Sequence, residues 1–140
     1  MGHILNLSPS DDDILKIRRK LQEYNAHFFE IKDEPCFTIS ETDENDELIG
    51  GIVCTISGKW LEIEFLWVRE DQRGKRLGKK LLFEAEKTGI EKNCTKAFLT
   101  TMNFQARPFY LKNGYKTVYI QKNYPVINER YFMEKTLKEK

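Results

Sequence analysis

The sequence predicts a mixed α/β fold built around one central sheet, and three observations carry that prediction. Apolar stretches in the first half are joined by short polar turns, as in antiparallel strands. In the second half, a helical apolar pattern separates two strand-like segments, which implies a parallel crossover. The chain has 140 residues, 40% of them hydrophobic, which suits a single domain over 1–140 with its own core.

The first half predicts one helix followed by a meander of three strands. Residues 3–8 have the composition of a short first strand, and Ser10 can cap the helix that follows. The apolar residues of this helix recur at helical spacing and form a stripe expected to face a core: Ile14, Ile17, Leu21 and Tyr24. The strands of the meander are expected at 36–41, 48–57 and 60–68.

Strict alternation along the strand at 60–68 assigns its side chains to two faces. The first face would hold Leu61, Ile63, Phe65 and Trp67. The second face would hold Trp60, Glu62, Glu64, Leu66 and Val68.

The second half predicts alternating helices and strands. Helices are expected at 78–90 and 105–114, and strands at 95–102, 115–120 and 130–137. Because the first of these helices is a crossover, the strand after it should run parallel to the strand at 60–68. Pro108 is tolerated only in the first turn of the shorter helix, and Gly114 suits its end.

Charge and composition argue against several classes of protein. The 23 basic residues are balanced by 22 acidic ones, so neither a nucleic acid nor a membrane is an expected partner. The two histidines, His3 and His27, have no neighbours at metal-ligand spacing, so no metal is expected. Three widely spaced cysteines, without a leader-like or membrane-spanning apolar stretch, predict reduced thiols in a cytoplasmic protein.

The segment "VREDQRGKRLGKKLL" at 68–82 joins a strand to a helix and concentrates basic residues there. A solvated helix start, a nucleic-acid patch and a phosphate cradle are the alternatives. Basic residues at a helix N-terminus oppose the helix dipole unless an anion offsets them, which disfavours the first alternative. The basic cluster is compact and the net charge is only +1, so a pyrophosphate fits better than a polymer.

Two motifs in this chain resemble those of the GNAT (Gcn5-related) N-acetyltransferases, especially small single-domain bacterial members. Arg73 and Gly78 match the ends of Arg/Gln-x-x-Gly-x-Gly/Ala, while Arg76 replaces the middle glycine, which is tolerated if its φ stays helical. The stretch "NFQARPFYLKNGY" supplies a second match through Asn103, Ala106, Tyr110, Gly114 and Tyr115. The resemblance covers residues 36–137 and implies the GNAT fold, with splayed parallel strands in the middle of the sheet.

The resemblance also implies how acetyl-CoA, the expected co-substrate, would be held. The strand end Leu66, Trp67 and Val68 would pair with the pantetheine amides. The pyrophosphate would be held mainly by main-chain N–H groups of Arg73, Gly74, Lys75, Arg76, Leu77, Gly78 and Lys79. Asn103 would contact the pantetheine arm through its side-chain amide, and Ala106 and Tyr110 belong to the same motif.

The expected reaction is direct transfer of an acetyl group to a primary amine of a small molecule or peptide. Glu62 and Glu64 are the candidate bases, because a carboxylate can accept the ammonium proton through water. Tyr110 is the candidate acid for the leaving thiolate, and the Val68 N–H group could polarise the thioester carbonyl. No cysteine is well placed to carry an acyl group.

Two other functions remain open at this point. The main alternative is a non-catalytic domain that binds or senses acyl-CoA. A nucleic-acid-binding regulator that uses the basic segment is the other, and steep salt dependence would reveal it. The sequence does not name the acceptor amine. A homodimer is also open, with an edge strand near 130–137 as its contact.

Overall fold

The structure of the chain is a computed structural model that describes residues 2–30 and 33–138. The chain divides into two compact units, 1–32 and 33–140. The first unit contains helix α1, Asp11–Asn25, which begins with a capping box. The Ser10 hydroxyl accepts the Asp13 N–H at 3.1 Å, and the Asp13 carboxylate accepts the Ser10 N–H at 3.0 Å.

One prediction for the N-terminal unit is wrong. Residues 3–8 were expected to form a short strand, but residues 2–10 contain none. Helical periodicity predicted α1 correctly. Within its own unit no residue of α1 is buried, and the expected burial of its apolar stripe stays a prediction.

The second unit contains six strands and two helices among its described residues. The strands are β1 Cys36–Thr42, β2 Leu48–Ser57, β3 Trp60–Val68, β4 Lys96–Met102, β5 Lys116–Gln121 and β6 Arg130–Thr136. The helices are α2 Leu77–Glu91 and α3 Arg107–Lys112, and a 3₁₀ turn lies at Glu70–Gln72. These elements confirm the predicted order of strands and helices in this part of the chain.

One mixed sheet has the strand order β1-β2-β3-β4-β6-β5. β1, β2 and β3 are antiparallel, and β3 pairs with β4 in parallel across the α2 crossover, as predicted. β6 lies between β4 and β5 and is hydrogen-bonded on both sides. The prediction that 130–137 forms an edge strand available to a second copy is therefore wrong.

The core lies between the sheet and α2. Leu81, Leu82 and Ala85 of this helix are at most 2% exposed. The sheet residues buried in the same cluster include Ile52, Leu61, Leu99 and Met133. Because this packing immobilises α2, it also fixes the position of the helix N-terminus.

A β-bulge in β3 changes which side chains face the core. Phe65 lies opposite Val53, but Ile63 lies opposite Cys54, so Glu64 has no partner in β2. Leu61 and Ile63 are buried as predicted. Beyond the extra residue the faces exchange: Leu66 and Val68 are half-buried and pack on the core, whereas Phe65 and Trp67 are exposed.

The two parallel strands separate beyond their first half. β3 pairs with β4 from Trp60 opposite Lys96 to Ile63 opposite Leu99, and the pairing stops there. Residues 64–68 consequently have no partner strand on the β4 side, although they continue to pair with β2. This is the splay that the resemblance implied, and it opens a gap in the middle of the sheet.

Candidate active site

A cleft of about 1040 Å³ occupies the gap between the splayed strands and extends to the start of α2. It is bordered by the end of β3, the turn at 72–79, the end of β4 and helix α3. Of the residues predicted for the site, those that line the cleft are Glu64, Leu66, Trp67, Val68, Arg73, Gly74, Arg76, Leu77, Gly78, Lys79, Ala106 and Tyr110. Glu62, Lys75 and Asn103 do not line it.

The N-terminus of α2 is open toward an anion. The helix has no side-chain cap and no acidic residue in its first turn. The first N–H groups of a helix have no partner within the helix and carry the positive end of its dipole. Lys80 N–H bonds to Arg76 C=O at 3.0 Å, so the free groups lie before Lys80. Arg73 and Lys79 add positive charge at the same rim of the cleft.

Backbone conformation at this turn differs from one sequence expectation. Gly74 has φ +78° and Arg76 has φ +67°, both in the left-handed region. The helical φ that was the condition for tolerating Arg76 is therefore not found, since the arginine has the conformation that a glycine at this position adopts easily. The backbone of the turn therefore has the conformation that a glycine at position 76 would allow, and the arginine adds a charged side chain there.

Lys80 has a different role from the other basic residues of this segment. Its Nζ lies 2.9 Å from Oε1 of Glu41 on β1, and this contact raises the pKa of the lysine. The ion pair joins the first turn of α2 to the edge of the sheet. Of the other basic residues of this segment, Arg73, Arg76 and Lys79 line the cleft and Lys75 does not.

Tyr110 lies at the inner wall of the cleft. Its side chain is 6% exposed, and its hydroxyl makes no hydrogen bond with any residue in 2–30 or 33–138. Burial, with a smaller contribution from nearby Cys54, raises the pKa of Tyr110 to about 12. A phenol in this state keeps its proton at neutral pH and has a free donor to offer.

The two candidate bases occupy different positions. Glu64 is the bulged residue of β3 and lines the cleft, where its Oε2 accepts a hydrogen bond from the Thr55 hydroxyl at 2.8 Å. Glu62 lies outside the cleft. Burial raises the pKa of Glu62, and the charges of Glu64 and Glu34 raise it further. The two carboxylates are close enough for the charge of Glu64 to act on Glu62, but only Glu64 lines the cleft.

Asn103 is engaged by the backbone next to β6. Its side-chain Oδ1 accepts the Glu129 N–H at 3.2 Å, and its own N–H bonds to the Glu129 carbonyl at 2.9 Å. These two bonds hold the end of β4 against the residue that precedes β6. The predicted contact with a pantetheine arm stays a prediction, since Asn103 does not line the cleft.

Several cleft residues were not among the predicted site residues. They lie on the end of β4, on the following loop and on α3, and they include Thr100, Thr101, Phe104, Gln105, Phe109 and Asn113. Thr101 Oγ1 accepts the Ala106 N–H at 3.3 Å, and Gln105 Oε1 accepts the Met102 N–H at 2.7 Å, so the loop is ordered by its own side chains. The available signal was their position after a parallel strand, where ligand sites are common in open α/β sheets.

Cys54 lies in the core below the site. It is fully buried, and this burial, with smaller effects of Cys36 and Glu64, raises its pKa to about 12. A thiol in that environment is protonated at neutral pH and is a poor nucleophile. Across residues 2–30 and 33–138, no cluster of His, Cys, Asp and Glu is arranged to hold a metal ion. None of the helices in the same ranges has the length and apolar character needed to cross a membrane.

The sequence of the chain is similar to sequences of known acetyltransferases. Residues 5–115 match the "Acetyltransferase (GNAT) family". A blasticidin-S acetyltransferase from Streptomyces morookaense is 36% identical over 83 residues, which are 59% of this chain and 61% of that protein. The match thus spans less than two thirds of that relative's length.

Two solved structures extend the comparison to the fold. The crystal structure of an acetyltransferase from Bacillus cereus superposes with a TM-score of 0.89 at 29% identity, covering 97% of this chain and 98% of the other. An aminoglycoside 6'-N-acetyltransferase complexed with coenzyme A has a TM-score of 0.67 at 17% identity, covering 97% and 99%. The second likeness is one of fold alone.

Proposed function

Because the chain belongs to the GNAT family of acetyltransferases, we propose that it transfers an acetyl group from acetyl-CoA directly to a primary amine of a small molecule or peptide. The observation that best supports this proposal is that three features line the same cleft. They are an unpaired strand edge, an uncapped helix N-terminus and a buried tyrosine with a free hydroxyl. These three features match the amides, the diphosphate and the sulfur of a CoA thioester. The proposal assigns this activity to one domain over residues 1–140.

Different segments of the chain would bind different parts of acetyl-CoA. Leu66, Trp67 and Val68 would offer backbone groups to the pantetheine amides, because no β4 residue pairs with them. The turn from Arg73 to Lys79 would hold the diphosphate through N–H groups and positive charge. Ala106 precedes the first residue of α3 and would form part of the cleft wall next to the ligand. Lys75 and Asn103 do not line the cleft, and they would assist binding from beside it.

The acceptor must lose a proton before it can attack. A primary alkyl ammonium with pKa ~10.4 is neutral in only about one molecule in 2,500 at pH 7, which costs about 4–5 kcal/mol. We assign the base to Glu64, acting through water, since it lines the cleft. Glu62 adds negative charge that attracts the cationic amine.

Tyr110 would complete the reaction as the acid. Tyr110 lines the cleft, its hydroxyl has no hydrogen-bond partner among residues 2–30 and 33–138, and the phenol is protonated at working pH. The Val68 N–H group would polarise the thioester carbonyl as a single donor. Direct attack, without an acyl-cysteine, agrees with the buried and protonated state of Cys54.

A small cationic amine is the preferred acceptor class. Blasticidin S is the compound named for the curated relative, and aminoglycosides are named for a protein of the same fold. Glu64 in the cleft and Glu62 two residues away on the same strand suit such a substrate electrostatically. Free thiols at Cys54 and Cys94 are the basis for proposing a cytoplasmic location. The homodimer stays a prediction that sedimentation can test.

Binding and turnover distinguish the competing functions. Thermal shift with acetyl-CoA, CoA, ATP and a short DNA duplex tests the ligand class, and we expect a shift with the two CoA compounds. A duplex-only shift would reject the proposal in favour of a regulator. A screen of primary amines, read by release of the CoA thiol, then separates an enzyme from a sensing domain, which would bind CoA but release none.

Tyr110→Phe tests the chemistry within the same assay. Loss of the acid should lower kcat by about 10²-fold or more while the Kd for CoA stays the same. Tyr119→Phe, a change at a tyrosine that is 60% exposed on β5, is the matched control and should retain full kcat. Equal kcat in wild type and Tyr110→Phe would remove the acid role of Tyr110.

A further inference from the structure

A buried carboxylate that does not line the cleft takes no part in the proposed chemistry. Glu86 is in the middle of α2 and is only 2% exposed. Its Oε2 accepts a hydrogen bond from the Tyr115 hydroxyl at 2.9 Å, and its Oε1 accepts one from Lys135 Nζ, also at 2.9 Å. Burying a charge is unfavourable unless it is paired and hydrogen-bonded, and here both carboxylate oxygens are engaged.

Tyr115 connects this carboxylate to Tyr110. The helix that carries Tyr110 ends in a Schellman motif, with Gly114 at φ +92° and its N–H bonded to the Leu111 carbonyl at 3.2 Å. The Tyr115 N–H bonds to the Tyr110 carbonyl at 3.0 Å. The two rings also meet edge to face, with centroids 5.7 Å apart and an interplanar angle of 70°.

Lys135, on β6, contacts both Tyr115 and Glu86. Its Nζ lies 5.6 Å from the centroid of the Tyr115 ring, in addition to its bond with Glu86. Its aliphatic stem passes over Gly114, where an added Cβ would lie 3.2 Å from Lys135 Cε. Glu86, Tyr115 and Lys135, here named the positioning cluster, therefore join α2, the end of α3 and β6.

We infer that the positioning cluster fixes the ring of Tyr110 so that its hydroxyl faces the thioester sulfur, an inference that rests on the proposed function. The Tyr110 hydroxyl has no partner of its own among the described residues, so nothing at its tip orients it. Its orientation must come from the ring and backbone, which contact Phe109 and Tyr115. Glu86, Tyr115 and Lys135 are positioning residues rather than catalytic ones.

Two conservative variants test this role. Tyr115→Phe removes one hydroxyl and keeps the ring against Tyr110. Glu86→Gln removes the charge and keeps the shape. If Glu86→Gln does not fold, Tyr115→Phe carries the test alone. The matched control is Tyr131→Phe, because Tyr131 is 7% exposed and its hydroxyl bonds to Glu129 at 3.0 Å. Its ring stacks on Arg107 instead of on Tyr110.

Two readouts are needed, one of catalysis and one of structure. The kcat for thiol release and the Kd for acetyl-CoA are measured for each variant, alone and combined with Tyr110→Phe. NMR of protein with ¹³C-labelled tyrosine, assigned by the signal lost in Tyr110→Phe, reports the environment of the Tyr110 ring directly. A general loss of stability would affect both backgrounds equally, whereas a positioning effect disappears when Tyr110 is absent.

We expect kcat to fall about tenfold in Tyr115→Phe and Glu86→Gln, with Kd unchanged, because small displacements of a catalytic group are costly. No further fall is expected in the Tyr110→Phe background. The Tyr110 ring signals should shift in both variants and stay in place in Tyr131→Phe. An equal fall in the Tyr110→Phe background, or unchanged Tyr110 ring signals, would overturn the inference.

Failure of the proposed function gives a different pattern. If Tyr110→Phe has wild-type kcat, the acid role is wrong, and the NMR signals alone then decide whether the cluster positions the ring. If Tyr110→Phe is impaired while Tyr115→Phe and Glu86→Gln have wild-type kcat, the acid role stands and the positioning role is rejected.

Discussion

Nε of Arg73 donates a hydrogen bond to the backbone carbonyl of Val68 across 3.0 Å. This bond ties the turn at 72–79 to the end of β3, so the two parts of the proposed acetyl-CoA site hold each other in place. The guanidinium keeps its remaining donors for an anion. Arg73 therefore combines a structural bond with a charge at the cleft rim.

Replacing Arg73 by alanine should weaken acetyl-CoA binding. Loss of a charged hydrogen-bonding group at this site is expected to raise Kd about tenfold, as measured by calorimetry. Lys87→Ala, which removes one positive charge from an exposed site farther along α2, is the control. Equal Kd values for Arg73→Ala and Lys87→Ala would show that acetyl-CoA binding depends only on the net charge of the protein.

Arg76→Gly should stabilise the protein. A non-glycine residue at φ +67° carries left-handed strain of about 1–2 kcal/mol, of which the extra flexibility of glycine in the unfolded chain returns about 0.5–1. The net gain in the free energy of unfolding should be about 0.5–1 kcal/mol, measured by urea denaturation.

Lys75→Gly is the matched control for that change. It removes the same charge at the adjacent exposed position, where φ is not positive, so only the entropic cost of glycine remains. Its free energy of unfolding should therefore fall. Stabilisation by both variants, or by neither, would contradict the strain assigned to Arg76.

Glu64→Gln and Glu62→Gln should have unequal effects on turnover. Removing the base that lines the cleft should lower kcat/KM by about 10²-fold, whereas removing Glu62 should cost much less and mainly reduce attraction of the amine. The smaller effect should fade as salt is added. A larger loss in Glu62→Gln would transfer the base role to that residue.

The same pair predicts a shift in titration. The Glu64 carboxylate is one cause of the raised pKa of Glu62, after burial. Glu64→Gln removes this like charge, so the pKa of Glu62 should fall toward its ordinary value, as followed by NMR of the side-chain carboxyl carbon. An unchanged pKa would mean that burial alone sets the titration of Glu62.

Stability should decline in alkaline solution between about pH 9 and about pH 12. The pKa of Cys54 is raised in the folded state from 9.0 to about 12, so the unfolded chain loses this proton first. In that window the unfolded state binds fewer protons, and the free energy of unfolding therefore falls as pH rises. Tyr110, whose folded pKa is raised to about 12, acts in the same direction.

Cys54→Ala should flatten this decline, as measured by urea unfolding at several pH values from 8 to about 11. The variant loses some stability at every pH because a buried side chain is shortened, so the slope is the informative quantity. Cys36→Ala, at an exposed thiol, should change the slope much less, because Cys36 contributes less than burial to the raised pKa of Cys54. Identical slopes in Cys54→Ala and wild type would exclude the buried thiol as a cause.

Local patterns predicted most elements of the larger unit, because strand alternation, helical spacing and turn residues act over a few neighbours. The bulge at Glu64 was not predictable from alternation, since one extra residue leaves no mark in the sequence of β3. The interior position of β6 depends on pairing with β4 and β5, which are distant in the chain.

In the candidate site, too, local patterns predicted some residues, whereas residues that depend on contacts distant in the chain were missed. Residues in the basic turn were predicted, because charge, glycine and position before a helix occur together there. Thr100 and Phe104 were missed, since they reach the cleft only through the separation of β3 and β4. The left-handed φ of Arg76 was also missed, because an arginine gives no local indication of that conformation.

Helix α2 carries Gly78 in its first turn and Glu86 about two turns further on, so the two residues lie roughly 12 Å apart along the helix axis. Acetyl donors would consequently be selected by length. A thioester with a shortened arm could still engage the turn with its phosphates while its sulfur stops short of Tyr110, which makes it a competitive inhibitor instead of a donor.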